Sequence, residues 1–260
     1  MEEIKFALDT FYAIMSGALV MWMAAGFTML EAGLVQKKDV SEIVTKNLGL
    51  FSIACVMYLV CGFALMYPAD AVFAIAGGLD EAGEAISYGI FPAIATSWGL
   101  STDMPLEEIG MAYGMDYSQQ ADFFFQVVFV ATAMSIVSGA VAGRMKLIPF
   151  FIFTVILTAF IYPVQGYWNW GGGFLSVLGY SDYAGSGTVH LLGAAAALGV
   201  VTLLGARNGK YGSDGSINPM PGSNIPLAAL GVLILWLGWF GFNGGSELVI
   251  SDEASAIAVS

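Results

Sequence analysis

The residue with the clearest capacity for chemistry is His190, the only histidine in the 260-residue chain. It follows Asp182 by eight residues in the stretch Asp-Tyr-Ala-Gly-Ser-Gly-Thr-Val-His, and an apolar run surrounds it. An ionisable side chain at membrane depth is costly unless it is paired or lines a polar path. Imidazole titrates near neutral pH, which suits histidine to accept and return a proton. A neutral histidine hydrogen-bonded inside a helix bundle is an equally good interpretation of the residue type alone.

The elements that must position this histidine are membrane-spanning helices. Hydrophobic residues make up 58% of the chain and charged residues 11%, and about 20 apolar residues cross the hydrocarbon core as a helix. The sequence therefore predicts an all-α polytopic membrane protein. Six segments approach or reach the required length without a charged residue: Phe11–Leu30, Asn47–Tyr67, Phe123–Ala142, Leu147–Val164, Thr188–Leu204 and Ile225–Phe242.

The depth of His190 follows from where the fifth span begins. If that helix starts near Asp182, a rise of about 1.5 Å per residue places His190 about 12 Å further along the axis. This position is near the middle of a hydrocarbon core of about 30 Å. Small residues around the histidine would let neighbouring helices approach closely.

The basic residues predict the orientation of the spans. By parity, three loops must share one side of the membrane, and they hold seven of the eight basic residues: Lys37, Lys38, Lys46, Arg144, Lys146, Arg207 and Lys210. The positive-inside rule makes that side cytoplasmic. We therefore predict a multi-pass protein of the cytoplasmic (inner) membrane with its N-terminus outside.

The connection from Pro68 to Asp122 is strongly acidic. It contains nine acidic residues and no basic residue, with apolar pieces such as Ala71–Leu79 and Ala85–Leu100 that are too short to span. One interpretation is a funnel that attracts cations. We favour a solvated outer loop, which contributes much of the net charge of −12.

Features of an enzyme are missing from the sequence. Cys55 and Cys61 lie six residues apart in one predicted helix and point to different faces, so they predict neither a metal site nor a disulfide. The sequence holds no phosphate-binding loop, paired-cysteine metal motif or nucleophile elbow. We predict no enzyme activity, no cofactor, no metal site and no nucleic-acid partner.

Four stretches together give the chain a resemblance to a known family. They are Gly26-Phe-Thr-Met-Leu-Glu-Ala-Gly-Leu34, Phe123-Phe-Phe-Gln-Val-Val-Phe129 with Ser138-Gly-Ala-Val-Ala-Gly-Arg144, Trp170-Gly-Gly-Gly173 through His190, and Trp239-Phe-Gly-Phe-Asn-Gly-Gly-Ser246. Each stretch alone is weak, because Gly-rich aromatic segments are common in membrane proteins. All four in this order, with the aspartate-to-histidine spacing, resemble the ammonium transporter family of Amt, methylammonium permease and Rhesus proteins.

The resemblance implies a role for individual residues. Trp170 and Phe129 match the aromatic residues of the family's external recruitment site, and Ser246 matches its hydroxyl acceptor. Phe129 and Phe242 match the stacked phenylalanines that gate the passage below. His190 matches the first of two histidines that line the hydrophobic pore. Asp182 matches the motif aspartate that holds the outer site together.

The function implied by the resemblance is transmembrane transport of ammonium or ammonia, with methylammonium as an analogue. Ammonium resembles K⁺ in size and charge but carries N–H donors and a proton that it can lose. Aromatic faces attract the cation by about 0.5–2 kcal/mol, and a dry section then favours the neutral base. An ammonium sensor of the same fold, signalling through a C-terminal domain, is the alternative. A potassium-type pore is disfavoured because no Thr-Val-Gly-Tyr-Gly filter is found.

Each candidate residue also has a purely structural interpretation. Tryptophans gather at membrane interfaces, which alone would explain Trp170, and a phenylalanine such as Phe129 or Phe242 more often packs in a core than forms a gate. Ser246 follows two glycines and could end its helix, whereas Asp182 could cap the fifth span by accepting backbone N–H bonds. In the context of the motifs, we favour function for the two phenylalanines, the tryptophan and the histidine.

Two further positions lie on the predicted cytoplasmic side. Glu31 ends the first span, and a carboxylate at headgroup level that pairs with a nearby lysine is its simplest interpretation. Gly143 precedes Arg144 where the family often has a glutamate. A lost salt bridge is the consequence that we expect, without altered transport.

The resemblance also implies a fold that residues 1–260 cover in part. Family members have about eleven spans, built as two five-helix repeats of inverted topology. The six predicted spans correspond to the first repeat plus the first helix of the second inverted repeat, which carries the partner histidine further on. We interpret the chain as a single ammonium-transporter domain, truncated at its C-terminus and unable to transport alone. The family assembles as homotrimers in membrane lipid, and a regulatory protein of the PII type would bind the cytoplasmic loops and tail.

Overall fold

The computed structural model describes residues 2–68, 71–79, 85–92 and 116–260. Within these ranges, six helices are long and apolar enough to cross a membrane: Glu3–Leu34, Lys37–Met66, Gln119–Val141, Leu147–Val177, Ser186–Leu204 and Ile225–Gly244. They correspond in number and order to the predicted spans, so the mostly helical, six-span architecture is confirmed.

Several spans are assembled from shorter helical segments. The α-helices are α1 (Glu2–Leu34), α2 (Val40–Met57), α3 (Phe63–Met66), α4 (Gln119–Val141), α5 (Leu147–Ile156), α6 (Tyr162–Asn169), α7 (Phe174–Val177), α8 (Leu192–Leu204), α9 (Ile225–Trp239) and α10 (Glu253–Val259). Among the described residues, four π-helical turns extend or join them: Tyr58–Gly62, Leu157–Ile161, Ser186–Leu191 and Phe240–Gly244. Such turns occur often at functional sites.

Helix α4 forms the centre of the bundle. In an 18-residue apolar stretch of α4, 78% is buried within the protein, compared with 22–39% in the other five spans. Ser118 caps its beginning by accepting a hydrogen bond from the Ala121 nitrogen at 3.2 Å. A helix that is apolar on all sides belongs in an interior. This position lets α4 contribute side chains to a site that the surrounding helices enclose.

Helices α1 and α9 approach each other along a seam of glycines. Gly26 and Gly33 lie seven residues apart on α1, and Gly231 and Gly238 lie seven apart on α9. A Cβ atom at Gly231 would lie 2.5 Å from the Leu30 nitrogen and 2.6 Å from the Gly26 carbonyl oxygen. Small residues at membrane-helix interfaces allow this close approach of two backbones.

Gly231→Ala is therefore expected to lower the thermal stability of the protein, by about 1–3 kcal/mol, because the added methyl group meets backbone atoms that cannot rotate away. The matched control is Gly199→Ala on α8, where no atom of a neighbouring element lies within 4 Å of the added methyl group. Thermal unfolding of detergent-solubilised protein measures the difference. Equal melting temperatures of the two variants would contradict the close packing of α1 on α9.

Two short apolar pieces of the acidic connection form a β-hairpin. β1 (Ala71–Leu79) pairs antiparallel with β2 (Ala85–Pro92), which the prediction of an all-α chain with an irregular loop did not include. Segments too short to span can satisfy each other's backbone groups by pairing. The Trp168 indole donates a hydrogen bond to the Ile90 carbonyl oxygen at 2.8 Å, which anchors the hairpin to α6. The remainder of the piece predicted to run to Leu100, and several acidic residues of the predicted solvated outer loop, lie outside the described residues.

The fifth span begins at Ser186, two residues before the predicted Thr188 but four residues after Asp182, where the depth estimate for His190 assumed that the helix starts. Its first turn is the π-helical segment Ser186–Leu191, preceded by Gly185 with φ of 91°, a conformation that glycine adopts readily. Asp182 lies before the helix, and His190 lies in its first turn. The expectation that eight helical residues separate Asp182 from His190 is therefore wrong, because the chain first wraps around the Asp182 carboxylate.

Candidate functional site

Phe129 and Phe242 form a tight aromatic stack in the interior. Their ring centroids lie 4.0 Å apart with an interplanar angle of 24°. Phe129 comes from the central helix α4, and Phe242 comes from the π-helical turn that follows α9. The two side chains are 1% and 0% exposed, so the stack is dry.

Trp170 lies against one side of this stack. Its ring meets Phe129 edge-on, with centroids 6.1 Å apart and an interplanar angle of 74°. The indole Nε1 donates a hydrogen bond to the carbonyl oxygen of Asp182 at 2.8 Å. The indole is therefore held in one orientation between α4 and the loop before the fifth span.

His190 contacts the other ring of the stack, Phe242. The imidazole meets the Phe242 ring edge-on at 5.4 Å between centroids and stacks on Trp239 at 6.1 Å. Its Nδ1 lies 3.1 Å from the Gly185 carbonyl oxygen. Because a carbonyl only accepts, the neutral imidazole carries its proton on Nδ1 and leaves Nε2 as an acceptor.

The π-helical turns explain why these rings meet. His190 and Phe242 each lie in a turn with wider hydrogen bonding than an α-helix. One extra residue per turn shifts a side chain out of the regular helical spacing. The two rings are thereby brought together from two different helices, which α-helical spacing alone would not predict.

Asp182 organises the loop before the fifth span. Its Oδ1 accepts a hydrogen bond from the Gly185 nitrogen at 3.0 Å, and its Oδ2 accepts from the Gly187 and Thr188 nitrogens at 2.9 and 2.7 Å. Backbone donors thus occupy both oxygens, as in the capping interpretation. The carboxylate therefore fixes the backbone segment whose carbonyl groups bind the Trp170 indole and the His190 imidazole.

Ser246 and the residue after it connect the Phe242 turn to the loop that also binds Trp170. The Ser246 hydroxyl donates a hydrogen bond to the Phe242 carbonyl oxygen at 2.6 Å. Glu247 Oε2 accepts a hydrogen bond from the Tyr183 hydroxyl at 3.2 Å. Partial burial, followed by this hydrogen bond, raises the pKa of Tyr183 above its ordinary value, so the hydroxyl keeps its proton and remains the donor.

A second polar cluster lies at the opposite end of the bundle. Lys46 Nζ lies 3.4 Å from Glu31 Oε2, and the two side chains are only 4% and 5% exposed. Ser138 and Asn47 donate hydrogen bonds to the same carboxylate oxygen at 2.8 and 3.3 Å. The predicted pairing of Glu31 with a lysine is found, and both side chains are buried in the bundle, because Lys46 belongs to α2 and its ammonium group points inward.

This end also opens into a cavity of about 710 Å³. Its lining includes Glu31, Gly139, Arg144 and Arg207. Arg144 Nη1 donates a hydrogen bond to the Gly205 carbonyl oxygen at 2.7 Å, and Arg207 Nε donates to the Ala142 carbonyl oxygen at 2.9 Å. Burial, followed by the nearby Arg207 charge, lowers the pKa of Arg144. Arg144 makes no ion pair with any described residue.

The described residues include no group of three or more His, Cys, Asp or Glu that could hold a metal ion. Cys55 and Cys61 are free thiols. The site is instead built from aromatic rings, one imidazole and one hydroxyl.

The structure thus brings Trp170, Phe129, Phe242 and His190 into one continuous series of ring contacts. Ser246 reaches the series through the Phe242 backbone. Sequence reasoning missed Trp239, Tyr183 and Glu247. Trp239 stands inside one of the quoted motifs, which could have indicated it, whereas no spacing rule pairs Tyr183 with a residue 64 positions away.

Comparison with known proteins identifies the family. The model of the Ammonium Transporter Family matches residues 11–260. Ammonium transporter Amt2 of Archaeoglobus fulgidus is 41% identical over 269 residues, covering 100% of this chain and 52% of that protein. Amt2 of Methanocaldococcus jannaschii is 36% identical, covering 96% of this chain and 53% of that protein.

Solved structures show the same fold. A structure described as a sensor Amt protein superposes with a TM-score of 0.80 at 33% identity, covering 100% of this chain and 59% of that one. Candida albicans Mep2 superposes with a TM-score of 0.75 at 24% identity, covering 96% and 50% respectively. The chain spans about half the length of the curated relatives it matches. The named relatives are ammonium transporters and not enzymes. Because the family model matches residues 11–260, the chain belongs to the ammonium transporter family.

Proposed function

We propose that the complete protein conducts ammonium or ammonia across the cytoplasmic membrane. The observation that carries this proposal is the dry Phe129–Phe242 stack, in which Trp170 contacts the first ring and His190 contacts the second. The cation would be taken at the Trp170 side and passed beyond the stack as the neutral base. Because the chain covers about half the length of its relatives, the proposal concerns the complete protein.

The first step is capture of the cation by Trp170, Phe129 and Ser246. Aromatic faces attract a cation by about 0.5–2 kcal/mol, more as water is removed. The Ser246 hydroxyl uses its hydrogen on the Phe242 carbonyl, so its lone pairs are free to accept an N–H bond. Potassium shares the attraction to the rings but has no hydrogen to donate, which favours ammonium.

The second step is loss of a proton at the phenylalanine stack. Moving an ion into a dry apolar section costs far more than moving a neutral molecule of the same size. Phe129 and Phe242 have almost no contact with water, so the charged form stops there and ammonia proceeds when the rings turn. The stack therefore selects for a cation that can become neutral.

The third step is acceptance by His190. Its Nε2 can accept an N–H bond from ammonia, because Nδ1–H is bound to the Gly185 carbonyl. The same nitrogen can take up the released proton, and onward transfer needs a second acceptor. The family resemblance implies that this acceptor is the partner histidine of the second repeat. A proton relayed this way makes net movement of charge possible.

We infer that the Trp170 side faces outward and the Glu31 end faces the cytoplasm, with the N-terminus outside. The support is the group of Lys and Arg residues at the Glu31 end, since the positive-inside rule counts Lys and Arg and the cavity lining there includes Lys38, Lys146, Arg144 and Arg207. The family resemblance adds a homotrimer in membrane lipid, and a PII-type regulatory protein at the cytoplasmic face.

A sensor of ammonium is the second candidate function. The observation that favours it is the similarity to the sensor Amt protein, with 33% identity over the whole of this chain. Capture at Trp170 would be shared by both functions. They differ in whether binding is followed by transport.

Methylammonium uptake by cells expressing the complete protein tests transport. We expect His190→Ala and Phe242→Ala each to lower uptake at least tenfold at matched abundance. Phe160→Ala is the matched control, since its ring is 51% exposed on the bundle surface, and it should transport as the wild type does. Normal, saturable uptake by both site variants would contradict the proposed roles. Absent uptake with retained ammonium binding would favour the sensor.

A further inference from the structure

We propose that Glu247 is a second, anionic contact for the cation, placed ahead of the aromatic site, and that its charge sets the affinity for ammonium. This inference rests on the proposed function, because the aromatic capture site is its starting point. It adds a residue that the family resemblance does not indicate. The reasons are the position of Glu247 on the rim of the site, the rigidity of its backbone and the absence, among the described residues, of a cation that would neutralise it.

Glu247 completes a closed ring of contacts around the mouth of the site. Trp170 bonds the carbonyl of Asp182, and the next residue, Tyr183, bonds the Glu247 carboxylate. Glu247 follows Ser246, which bonds the carbonyl of Phe242. Phe242 stacks on Phe129, and Phe129 returns to Trp170 by its edge. Within this ring, Glu247 is the residue whose carboxylate is not enclosed by backbone donors.

The backbone that carries Glu247 is held from several directions. Leu248 has φ of 70°, a left-handed conformation that is strained for a leucine, and its side chain packs against the core. Asp9 Oδ1 accepts hydrogen bonds from the Ile250 and Ser251 nitrogens at 2.8 and 3.0 Å. Tyr12 donates a hydrogen bond to the Gly244 carbonyl oxygen at 2.5 Å. Glu247 is thus fixed at the rim by its neighbours in the chain, whether or not Tyr183 is present.

Within the part of the chain that the structure describes, no cation pairs with the Glu247 carboxylate. Among the described residues, the one ion pair is Lys46 with Glu31 at the opposite end of the bundle. Glu247 Oε1 accepts no hydrogen bond from a described residue, while Oε2 accepts one from Tyr183. The side chain is partly exposed, so its attraction for a monovalent cation is moderate and screened by salt. Such a site raises the local concentration of ammonium without retaining it.

A structural interpretation of Glu247 makes different predictions. If the carboxylate only clamps the Tyr183 loop, Glu247→Gln keeps the clamp, because an amide oxygen also accepts from a hydroxyl. Tyr183→Phe would break such a clamp and leave the charge in place. The two variants therefore separate charge from clamping. Glu253→Gln is the matched control, since it removes an exposed carboxylate from nearby α10, outside the ring of contacts.

The experiment measures methylammonium uptake by the complete protein at low and at high ionic strength. It also measures ammonium binding to purified protein through quenching of tryptophan fluorescence, with NaCl replacing NH₄Cl as the salt control. We expect Glu247→Gln to raise KM and Kd about fivefold at low salt, with unchanged maximal uptake and a smaller difference at high salt. Glu247→Asp should largely restore the wild-type values. The KM and Kd of Tyr183→Phe and of Glu253→Gln should stay near those of the wild type.

The inference is overturned if Glu247→Gln leaves KM and Kd unchanged while the wild type binds and transports. It is also overturned if Glu253→Gln has an equal effect, or if Tyr183→Phe reproduces the loss. If the wild type binds ammonium with a Kd that Glu247→Gln raises but shows no uptake, the transport proposal fails and the inference stands. A wild type that does not bind ammonium contradicts both.

Discussion

Asp182→Ala is expected to destabilise the protein by about 3–5 kcal/mol and to loosen the loop that holds Trp170. The carboxylate accepts three backbone hydrogen bonds, from Gly185, Gly187 and Thr188. Hydrogen bonds to a charged group each contribute about 1.5–3 kcal/mol, and buried donors left unpaired add their own penalty. Alanine removes all three acceptors, so the first turn of the fifth span loses its cap and His190 loses its fixed backbone.

Thermal unfolding of the solubilised protein measures this loss. The stability of Asp182→Asn should lie between that of the wild type and that of Asp182→Ala. The asparagine amide keeps one oxygen acceptor but turns its two N–H donors toward the other backbone N–H groups. Asp214→Ala is the matched control: that carboxylate also accepts a backbone bond, from Ser216 at 3.0 Å, but is exposed. In a Ser181→Cys background, the rate of thiol labelling at this exposed position measures separately how far the loop has loosened. Wild-type stability and labelling in Asp182→Ala would show that the cap contributes little.

Composition alone predicted the number and order of the spans. Apolar runs of helical length are required in lipid whatever the tertiary fold, so six segments could be recognised without further knowledge. The boundaries were harder, because long charged side chains do not always end a span. Lys46 was assigned to a loop, yet it lies within α2 and pairs with Glu31 in the interior.

The aromatic and histidine residues of the site, and the stacking of Phe129 on Phe242, were predicted from the family resemblance and not from the periodicity of the sequence. In a membrane protein both the lipid-facing and the inward-facing sides of a helix are apolar, so periodicity does not reveal which phenylalanine points inward. Phe129 and Phe160 look alike in the sequence, but one is 1% exposed and the other 51%. Only the packing of α4 at the centre of the bundle separates them.

The π-helical turns and Glu247 lay beyond prediction for a related reason. A π-helical turn forms where tertiary contacts compensate for its weaker hydrogen bonding. The composition of the segment itself does not reveal those contacts. The Glu247–Tyr183 contact joins residues from the loop before the fifth span and the segment after the sixth. Pairings of this kind depend on how two helices are placed, and the sequence of neither segment contains that information.

Lys46→Met is expected to destabilise the protein by about 3–5 kcal/mol, since it leaves the Glu31 carboxylate buried without a cation. The methionine occupies a similar volume, so the loss reflects charge more than packing. Ser138 and Asn47 still donate to Glu31 Oε2 in this variant, but neutral donors do not replace the ammonium group. Glu31 Oε1 already lacks a hydrogen-bond partner among the described residues, which makes the carboxylate sensitive to any further loss.

The double variant Glu31→Gln/Lys46→Met should recover most of that stability, because a buried ion pair replaced by neutral groups of similar size is often no worse than the pair. The amide introduced by Glu31→Gln would still accept from Ser138 and Asn47 through its oxygen. Chemical denaturation of the wild type, both single variants and the double variant gives the coupling energy, expected at about 2–3 kcal/mol for groups in one network. Additive effects of the two single changes would mean that Lys46 and Glu31 are stabilised independently of each other. Lys46 would then be stabilised by the Ser138 carbonyl oxygen, to which its ammonium group also donates a hydrogen bond at 2.8 Å.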